Sequence, residues 1–503
     1  MAFPPYDVGP LALVALTPLL WSWRTARPRH AALYGFVFGL AFFGIMLEWS
    51  RYFGVVAIVP LVCAVAAYIA GTGAMVATLA RRGIRSPWLT AAAWVLLENL
   101  RDRWPLGGLP WGEAGAALHD LPAARALASF GGVALVSFLV VAFNGFLVDF
   151  GIAARQRLRR REPPPTRNLA DRAWRWSAVG LASVIALTVL ADVLRYEPRV
   201  TGTLHFALLQ GNDQNRNLTA AEEYNQYLTR RHLTLAAQLH GKYDLIVFPE
   251  SALERDPEIY PELRAQLVAV AAKHDAVLLV NARTRARGGG LHNANLAYDP
   301  DGRLQGSYAK QHLVPFGEYV PWRSVLGFID ELRQVPFDYV AGHRRTLFHA
   351  GGHKIATVIC FESAFTDLVR DNVRDGAEAI VVSTNNRSYR RSGLAAQHLA
   401  LSQMRAGETA RPILHASISG ITGVVDSDGD VHDTSRLFVN KVTTGTIHTT
   451  TGETPYVRIG NWAVLGSGLA LVIAAAVGEL NRRRRQGAVL DSSVAKGHVD
   501  GRR

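Results

Sequence analysis

Cysteine is almost missing from this chain: there are two in 503 residues, Cys63 and Cys360. So few thiols exclude a disulfide-stapled fold. With no CxxC or HxxxH spacing near Cys360, a metal site has too few ligands, and nothing in the sequence calls for a cofactor. Charge is thin as well. Asp, Glu, Lys and Arg make up 19% of residues, against about 25% in an average globular chain. No basic stretch precedes the first apolar run, which argues against a cleavable signal peptide. What replaces charge is hydrocarbon: 49% of residues are hydrophobic and mean hydropathy is +0.10.

Acidic residues are outnumbered, leaving a net charge of +13, but the excess is not spread as a nucleic-acid groove requires. It gathers beside apolar runs, at Arg24, Arg27 and Arg29, at Arg81, Arg82 and Arg85, from Arg155 to Arg161, and from Arg482 to Arg485. Basic clusters flanking apolar runs are the positive-inside signal of a membrane protein. Nucleic acid is therefore not an expected partner.

A hydrocarbon core of about 30 Å takes about 20 apolar residues per helix. Six runs qualify in a membrane domain over 1–195, at 8–23, 31–50, 54–79, 87–100, 124–150 and 176–194; a seventh lies at 461–480. Alternating them puts every arginine cluster on one side, which places that side in the cytoplasm and the intervening 200–455 domain outside. The polar tail, 486–503, reads as disordered. Glu48, Trp49 and Arg51, and then Glu98, Arg101, Arg103, Trp104 and Trp111, fall at the outer ends of spans. Interfacial tryptophans need no special explanation. Carboxylates at that depth fit the mouth of a lipid path.

Residues 200–455 alternate short apolar strands with amphipathic helices, the pattern of a layered α/β domain. Strands are expected at 204–210, 244–248, 276–281, 294–298, 355–360, 379–383, 413–417 and 423–426. Helices are expected at 220–239, 261–274, 365–371 and 394–408. Asp299-Pro-Asp-Gly302 and Asp426-Ser-Asp-Gly429 read as hairpin turns. Three segments carry chemistry: Val247-Phe-Pro-Glu250-Ser251, Lys310-Gln-His-Leu-Val-Pro315-Phe-Gly-Glu318, and Val358-Ile-Cys360-Phe-Glu362. A thiol beside a carboxylate and an ammonium is a workable nucleophile. The carboxylate takes the proton and the cation steadies the developing charge. An inert strand cysteine fits Cys360 equally well on spacing alone; Cys63 reads as a small apolar residue of the third span.

Together the three segments resemble the nitrilase, or carbon–nitrogen hydrolase, superfamily. With the apolar flanks the resemblance narrows to the bacterial apolipoprotein N-acyltransferase family. It covers nearly the whole chain, from Phe3-Pro-Pro-Tyr-Asp-Val8 through Glu98, Arg101 and Gly108-Leu-Pro-Trp111 to Thr451-Gly-Glu-Thr-Pro-Tyr456. Lys310-Gln-His-Leu-Val-Pro-Phe-Gly-Glu-Tyr-Val-Pro321 is its most specific motif. The resemblance implies an αββα sandwich inserted into a polytopic membrane domain of a bacterial cell membrane. It implies Glu250 as general base, Lys310 as the cation at the oxyanion and Cys360 as nucleophile. Glu318, Glu362 and Asn293 would support them, with the Phe361 N–H as a second oxyanion donor. The implied reaction is ping-pong acyl transfer. A membrane phospholipid acylates Cys360, and the thioester then passes its acyl group to the α-amine of a diacylglyceryl-cysteine on a lipoprotein.

The chain departs from the family at three places. Many members carry one more membrane helix ahead of the Phe-Pro-Pro-Tyr segment, where this chain starts. The usual Ser-Asn-Asp-Ala-Trp-Phe-Gly loop appears as Ser383-Thr-Asn-Asn-Arg-Ser-Tyr389-Arg-Arg391. Tyr389, Arg387 and Arg390 thereby become candidates for substrate binding, the loop arginines for an anionic phosphate; Arg101 and Trp111 are candidates as well. The tryptophan common near 211–225 is missing, and Tyr224 is the nearest large aromatic. A membrane-tethered amidase or nitrilase-type hydrolase is the alternative, since the same triad serves both. A degenerate scaffold is the non-enzymatic reading, against which the intact triad residues stand.

Overall fold

The computed structural model describes residues 1–158, 169–213, 219–326, 332 and 335–500. Among the described residues, five helices are long and apolar enough to cross a bilayer: Pro28–Met46, Val55–Arg81, Pro122–Leu158, Asp171–Val193 and Trp462–Arg483. The helices of the membrane part are α1 (Thr17–Trp23), α2 (Pro28–Met46), α3 (Val55–Arg81), α4 (Pro87–Arg101), α5 (Pro122–Leu158) and α6 (Leu169–Val193). Two of the seven expected spans are short. The apolar stretch Gly9–Trp23 is broken into small pieces, and α4 has 15 residues, about 22 Å of helix. The backbone groups freed at the first break are not left bare in the bundle. Asn144 of α5 accepts from Leu16 N at 3.1 Å and donates to Ala12 O at 2.9 Å.

Packing in this half relies on close backbone approach. A Cβ added to Gly39 of α2 would lie 2.8 Å from Ala66 of α3, the small-residue contact typical of membrane helices. In α5 the helical path breaks at Gly131 and Gly132, the latter at φ +71°. Residues before the break therefore run along the second domain, and those after it enter the bundle.

Strands β1 (Arg199–Gln210), β2 (Leu245–Val247), β3 (Val277–Arg285), β4 (Leu291–Tyr298) and β5 (Leu304–Ala309) join the late β12 (Lys441–Thr451) in one sheet. Its order is β12-β1-β2-β3-β4-β5. The second sheet holds β6 (Leu347–Ala350), β7 (His353–Ile359), β8 (Ala379–Thr384), β9 (Ile413–Ser417), β10 (Gly423–Val425) and β11 (Val431–His432), in the order β11-β10-β9-β8-β7-β6. Alternation sets the layers. Leu204, Phe206 and Leu208 meet Ile355, Ile359 and Val381 between the sheets. Ala207, Leu209 and Ile246 face away, toward α7 (Tyr227–Ala237) and α8 (Pro261–His274). Ala356, Val358 and Val382 face α9 (Thr366–Arg374) and α10 (Leu394–Thr409). The result is the αββα sandwich the resemblance implies. β5, β6, β11 and β12, which no apolar run announced, complete the sheets. Both expected hairpin turns are present, joining β4 to β5 and β10 to β11.

Helix α10 is buried along almost its whole length, because the second sheet covers one side and the membrane part the other. Its polar residues find partners across that boundary. Glu408 accepts from Val133 N at 2.6 Å and pairs with Arg405 at 2.9 Å. Gln403 donates to Asp120 at 3.0 Å, and Arg125 reaches Asp430 and the Asp428 carbonyl. The chain returns through α11 (Trp462–Asp500). That helix continues to residue 500, through the stretch expected to be a disordered tail. No proline follows Pro455 to stop it. Of the arginine clusters beside the spans, 159–161 lie outside the described residues.

Candidate active site

Three strand ends converge. β2 leads through Phe248-Pro249 to Glu250, β5 ends one residue before Lys310, and β7 ends at Ile359, one before Cys360. Cys360 opens a short 3-10 turn, Cys360–Ala364, at φ +53°. A non-glycine residue held in the left-handed region is strained and must be fixed by its surroundings. What fixes it is Glu362, fully buried. Its carboxylate accepts from Ile359 N at 2.8 Å and the Tyr308 hydroxyl at 2.8 Å. It also accepts from Gln311 N at 2.6 Å and His312 N at 3.1 Å. One side chain thus ties the cysteine turn to both sides of Lys310.

Lys310 is 1% exposed, and a buried ammonium needs pairing. Its Nζ lies 2.9 Å from Glu318 Oε2 and 3.7 Å from Glu250 Oε1. Burial alone would lower its pKa, but Glu318 and Glu250 outweigh burial and hold it well above the ordinary lysine value. Asn293 Nδ2 donates to both carboxylates, at 2.7 Å to Glu250 and 2.9 Å to Glu318. Glu250 also accepts from Asn385 N at 2.7 Å, and Glu318 from Val314 N at 2.8 Å. Burial raises the Glu250 pKa, with Lys310 pulling it back and Glu318 adding to the rise.

The Cys360 thiol is pushed up to about 12, first by burial and then by the Glu250 charge. Lys310, the Thr384 hydroxyl and the Asn385 N–H act in the opposite sense. In the resting site the sulfur is therefore a thiol, with a carboxylate at hand and a permanent cation beside both. A site so arranged can move a proton from sulfur to Glu250 as the sulfur attacks a carbonyl. It offers Lys310 to the oxygen that becomes negative.

Sequence reasoning missed the layer beneath. Asn281 Nδ2 donates to Asn293 Oδ1 at 2.8 Å and to Asn295 Oδ1 at 2.9 Å, while its own Oδ1 accepts from Ser251 N at 2.8 Å. Asn295 in turn donates to Thr357 at 2.7 Å. These amides fix the tilt of Asn293 and the turn after Glu250. Asparagines inside otherwise apolar strands were the available signal, since buried polar groups are retained only where they are satisfied. His398 was missed too. Its Nε2 lies 3.0 Å from the Cys360 carbonyl, and burial holds its pKa at about 4, so the ring is neutral.

The altered loop turns its aromatic residue toward the membrane part. Tyr389 meets Trp49 edge to face at 5.1 Å and Phe53 at 5.6 Å. Trp111 stacks on Phe361 at 6.3 Å. Trp49 and Trp111 both donate to Gln397 Oε1, at 3.2 and 2.8 Å. The loop arginines are already engaged. Arg387 pairs with Asp213 at 2.8 Å, Arg390 lies over the Tyr52 ring at 5.0 Å, and Arg391 over Phe438 at 5.4 Å. Arg101 is buried, pairs with Asp102 at 3.1 Å and covers the Phe43 ring. No described hydrogen bond or ion pair joins Arg101, Trp111, Tyr389, Arg387 or Arg390 to Glu250, Lys310 or Cys360.

Two family models match the chain: the apolipoprotein N-acyltransferase N-terminal domain over residues 1–146 and the carbon-nitrogen hydrolase over 206–456. An apolipoprotein N-acyltransferase of Methylococcus capsulatus is 30% identical, over 97% of this chain and 94% of its own length. One of Geobacter metallireducens is 30% identical, over 95% of this chain and 92% of its own. Among solved structures, a CN-hydrolase superfamily protein of Xanthomonas campestris is 22% identical. It covers 49% of this chain and 90% of that one, with a TM-score of 0.38.

Proposed function

The chain belongs to the apolipoprotein N-acyltransferase family, and from that premise we propose that its membrane-embedded acyltransferase activity runs through a Cys360 thioester. The observation that carries the proposal is the meeting of Glu250, Lys310 and Cys360 at strand ends beside Trp49 and Trp111 of the membrane part. Glu250 accepts the thiol proton as Cys360 attacks the acyl ester of a membrane phospholipid. Lys310 and the Phe361 N–H, in the first turn of a 3-10 helix where no intrahelical acceptor exists, hold the oxyanion. The lysophospholipid leaves with the proton from Glu250. The α-amine of a diacylglyceryl-cysteine then attacks the thioester, Glu250 takes its proton, and Cys360 is released as the thiol.

Glu318 and Asn293 orient Lys310 and Glu250, and Glu362 holds the cysteine turn. Tyr389 and Trp111 border the acyl chain on the membrane side, and Arg390 and Arg391 are the exposed loop arginines open to a headgroup phosphate. With the arginine clusters in the cytoplasm, the catalytic domain faces outward from a bacterial cytoplasmic membrane. Both lipid-anchored substrates are then within reach.

Purified enzyme given phospholipid labelled in its acyl chain tests this. Wild type is expected to accumulate labelled protein that hydroxylamine releases, and Cys360→Ala to accumulate none. Adding a diacylglyceryl lipopeptide is expected to move the label to its amine. Discharge to water alone, with lipopeptide present, would instead establish the hydrolase alternative.

A further inference from the structure

Far from the triad, at the arginine-rich end of the bundle, α1, α3, α4 and α5 border a small, half-open cleft. Its floor is hydrocarbon from Leu20, Val76, Leu79 and Leu89, and its rim carries Arg24, Arg85 and Asp149. Arg24 is committed to Asp149, which leaves Arg85 as the uncompensated charge. Arg85 is exposed and makes no hydrogen bond or ion pair with the described residues. The start of α4 also opens at the rim. Ser86, its N-cap, makes no side-chain capping bond and Pro87 has no N–H, so the first free amides of a 15-residue helix face the same region.

We infer that this cleft binds an anionic glycerophospholipid of the leaflet opposite the catalytic domain, phosphate at Arg85 and the α4 amides, one acyl chain along the apolar floor. Charge and shape together select that occupant. A cationic rim over a hydrocarbon floor, between helices of the membrane part, matches a molecule with one negative head and a long apolar tail. A zwitterionic lipid offers its phosphate but brings a second cation beside Arg24 and Arg85. Free phosphate satisfies the rim and leaves the floor empty. The site is separate from the acyl donor's and does not depend on Cys360 chemistry.

Native mass spectrometry of the full-length protein, released from nanodiscs of equal phosphatidylglycerol and phosphatidylcholine, reads retained lipid directly. Wild type should keep phosphatidylglycerol in excess. Arg85→Gln should cut that excess about fivefold, the scale of one partly exposed ion contact. Arg82→Gln, a neighbour whose side chain does not line the cleft, should leave it unchanged. Ala80→Phe, which fills the floor without touching the charges, should lower retention as well. Equal losses in the Arg85 and Arg82 variants would reduce the effect to general attraction by a basic surface and overturn the assignment. So would undiminished retention in Arg85→Gln. Inorganic phosphate that binds as tightly as the lipid, with the same Arg85 dependence, would make the ligand phosphate rather than lipid.

Discussion

Replacing Glu250 by glutamine separates the proton-accepting role of that side chain from its shape. The amide keeps an oxygen for the Asn385 N–H and a size the pocket already fits. What it loses is basicity. With the thiol at about 12, about one molecule in 10⁵ carries a thiolate at pH 7, a deficit of about 7 kcal/mol. In the proposed mechanism wild type avoids that deficit by passing the proton to Glu250 during attack. The variant cannot, so acylation should fall by about 10²–10⁴, the usual worth of a positioned base. Part of the loss is recovered because removing the Glu250 charge lets Lys310 draw the thiol pKa downward. The pH dependence should change form. Wild-type acylation needs the carboxylate, whose pKa burial raises, so its rate climbs with pH through that pKa and then levels. The variant needs free thiolate, so its rate should rise tenfold per pH unit from 7 until the lowered thiol pKa is reached. Single-turnover thioester formation from a fluorescent phospholipid, measured from pH 5 to 10, reads both features. A loss of under tenfold, or a flat profile in the variant above pH 7, would refute the assignment of Glu250 as base.

Lys310→Met leaves Glu250 and Glu318 buried with no cation between them, and breaking a buried pair this way costs about 3–5 kcal/mol. The Glu250 pKa, which burial already raises, rises further once the Lys310 charge is gone, so the stability deficit should grow with pH; thermal unfolding in detergent should show a larger Tm loss at pH 8 than at pH 5. Gly132→Ala puts a Cβ 2.8 Å from the Tyr456 ring at a φ of +71°, and should cost about 2 kcal/mol, read as a lower Tm with thiol reactivity retained. Tyr389→Leu removes two edge contacts to Trp49 and Phe53, about 0.5–1.5 kcal/mol each. It should raise KM for phospholipid severalfold while alkylation of Cys360 by a small haloacetamide speeds up.

How much was legible before folding differs by element. Long apolar runs announced α2, α3, α5, α6 and α11, because a bilayer demands length and hydrophobicity and little else. The central strands were legible because burial on both faces writes a continuous apolar run, as in Ile380-Val-Val382. Edge strands β6, β11 and β12 were not, since a half-exposed strand mixes threonine, histidine and lysine and carries no such signature.

The sequence by itself determined the chemistry available: one thiol outside the membrane spans, a carboxylate and an ammonium, each in a recognisable motif. A motif specifies residue types over a dozen positions, and that much is local. Only the tertiary structure decided the rest. It gave Lys310 two carboxylates, so the ammonium stays charged in a buried site. It set Glu362 across the cysteine turn and laid the Asn281–Asn293–Asn295 amides beneath Glu250. It also spent the loop arginines on Asp213, Tyr52 and Phe438. Most of these pairings join residues distant in the sequence. Their energies come from burial and charge balance, quantities that exist only once the two sheets and the membrane helices have closed around them.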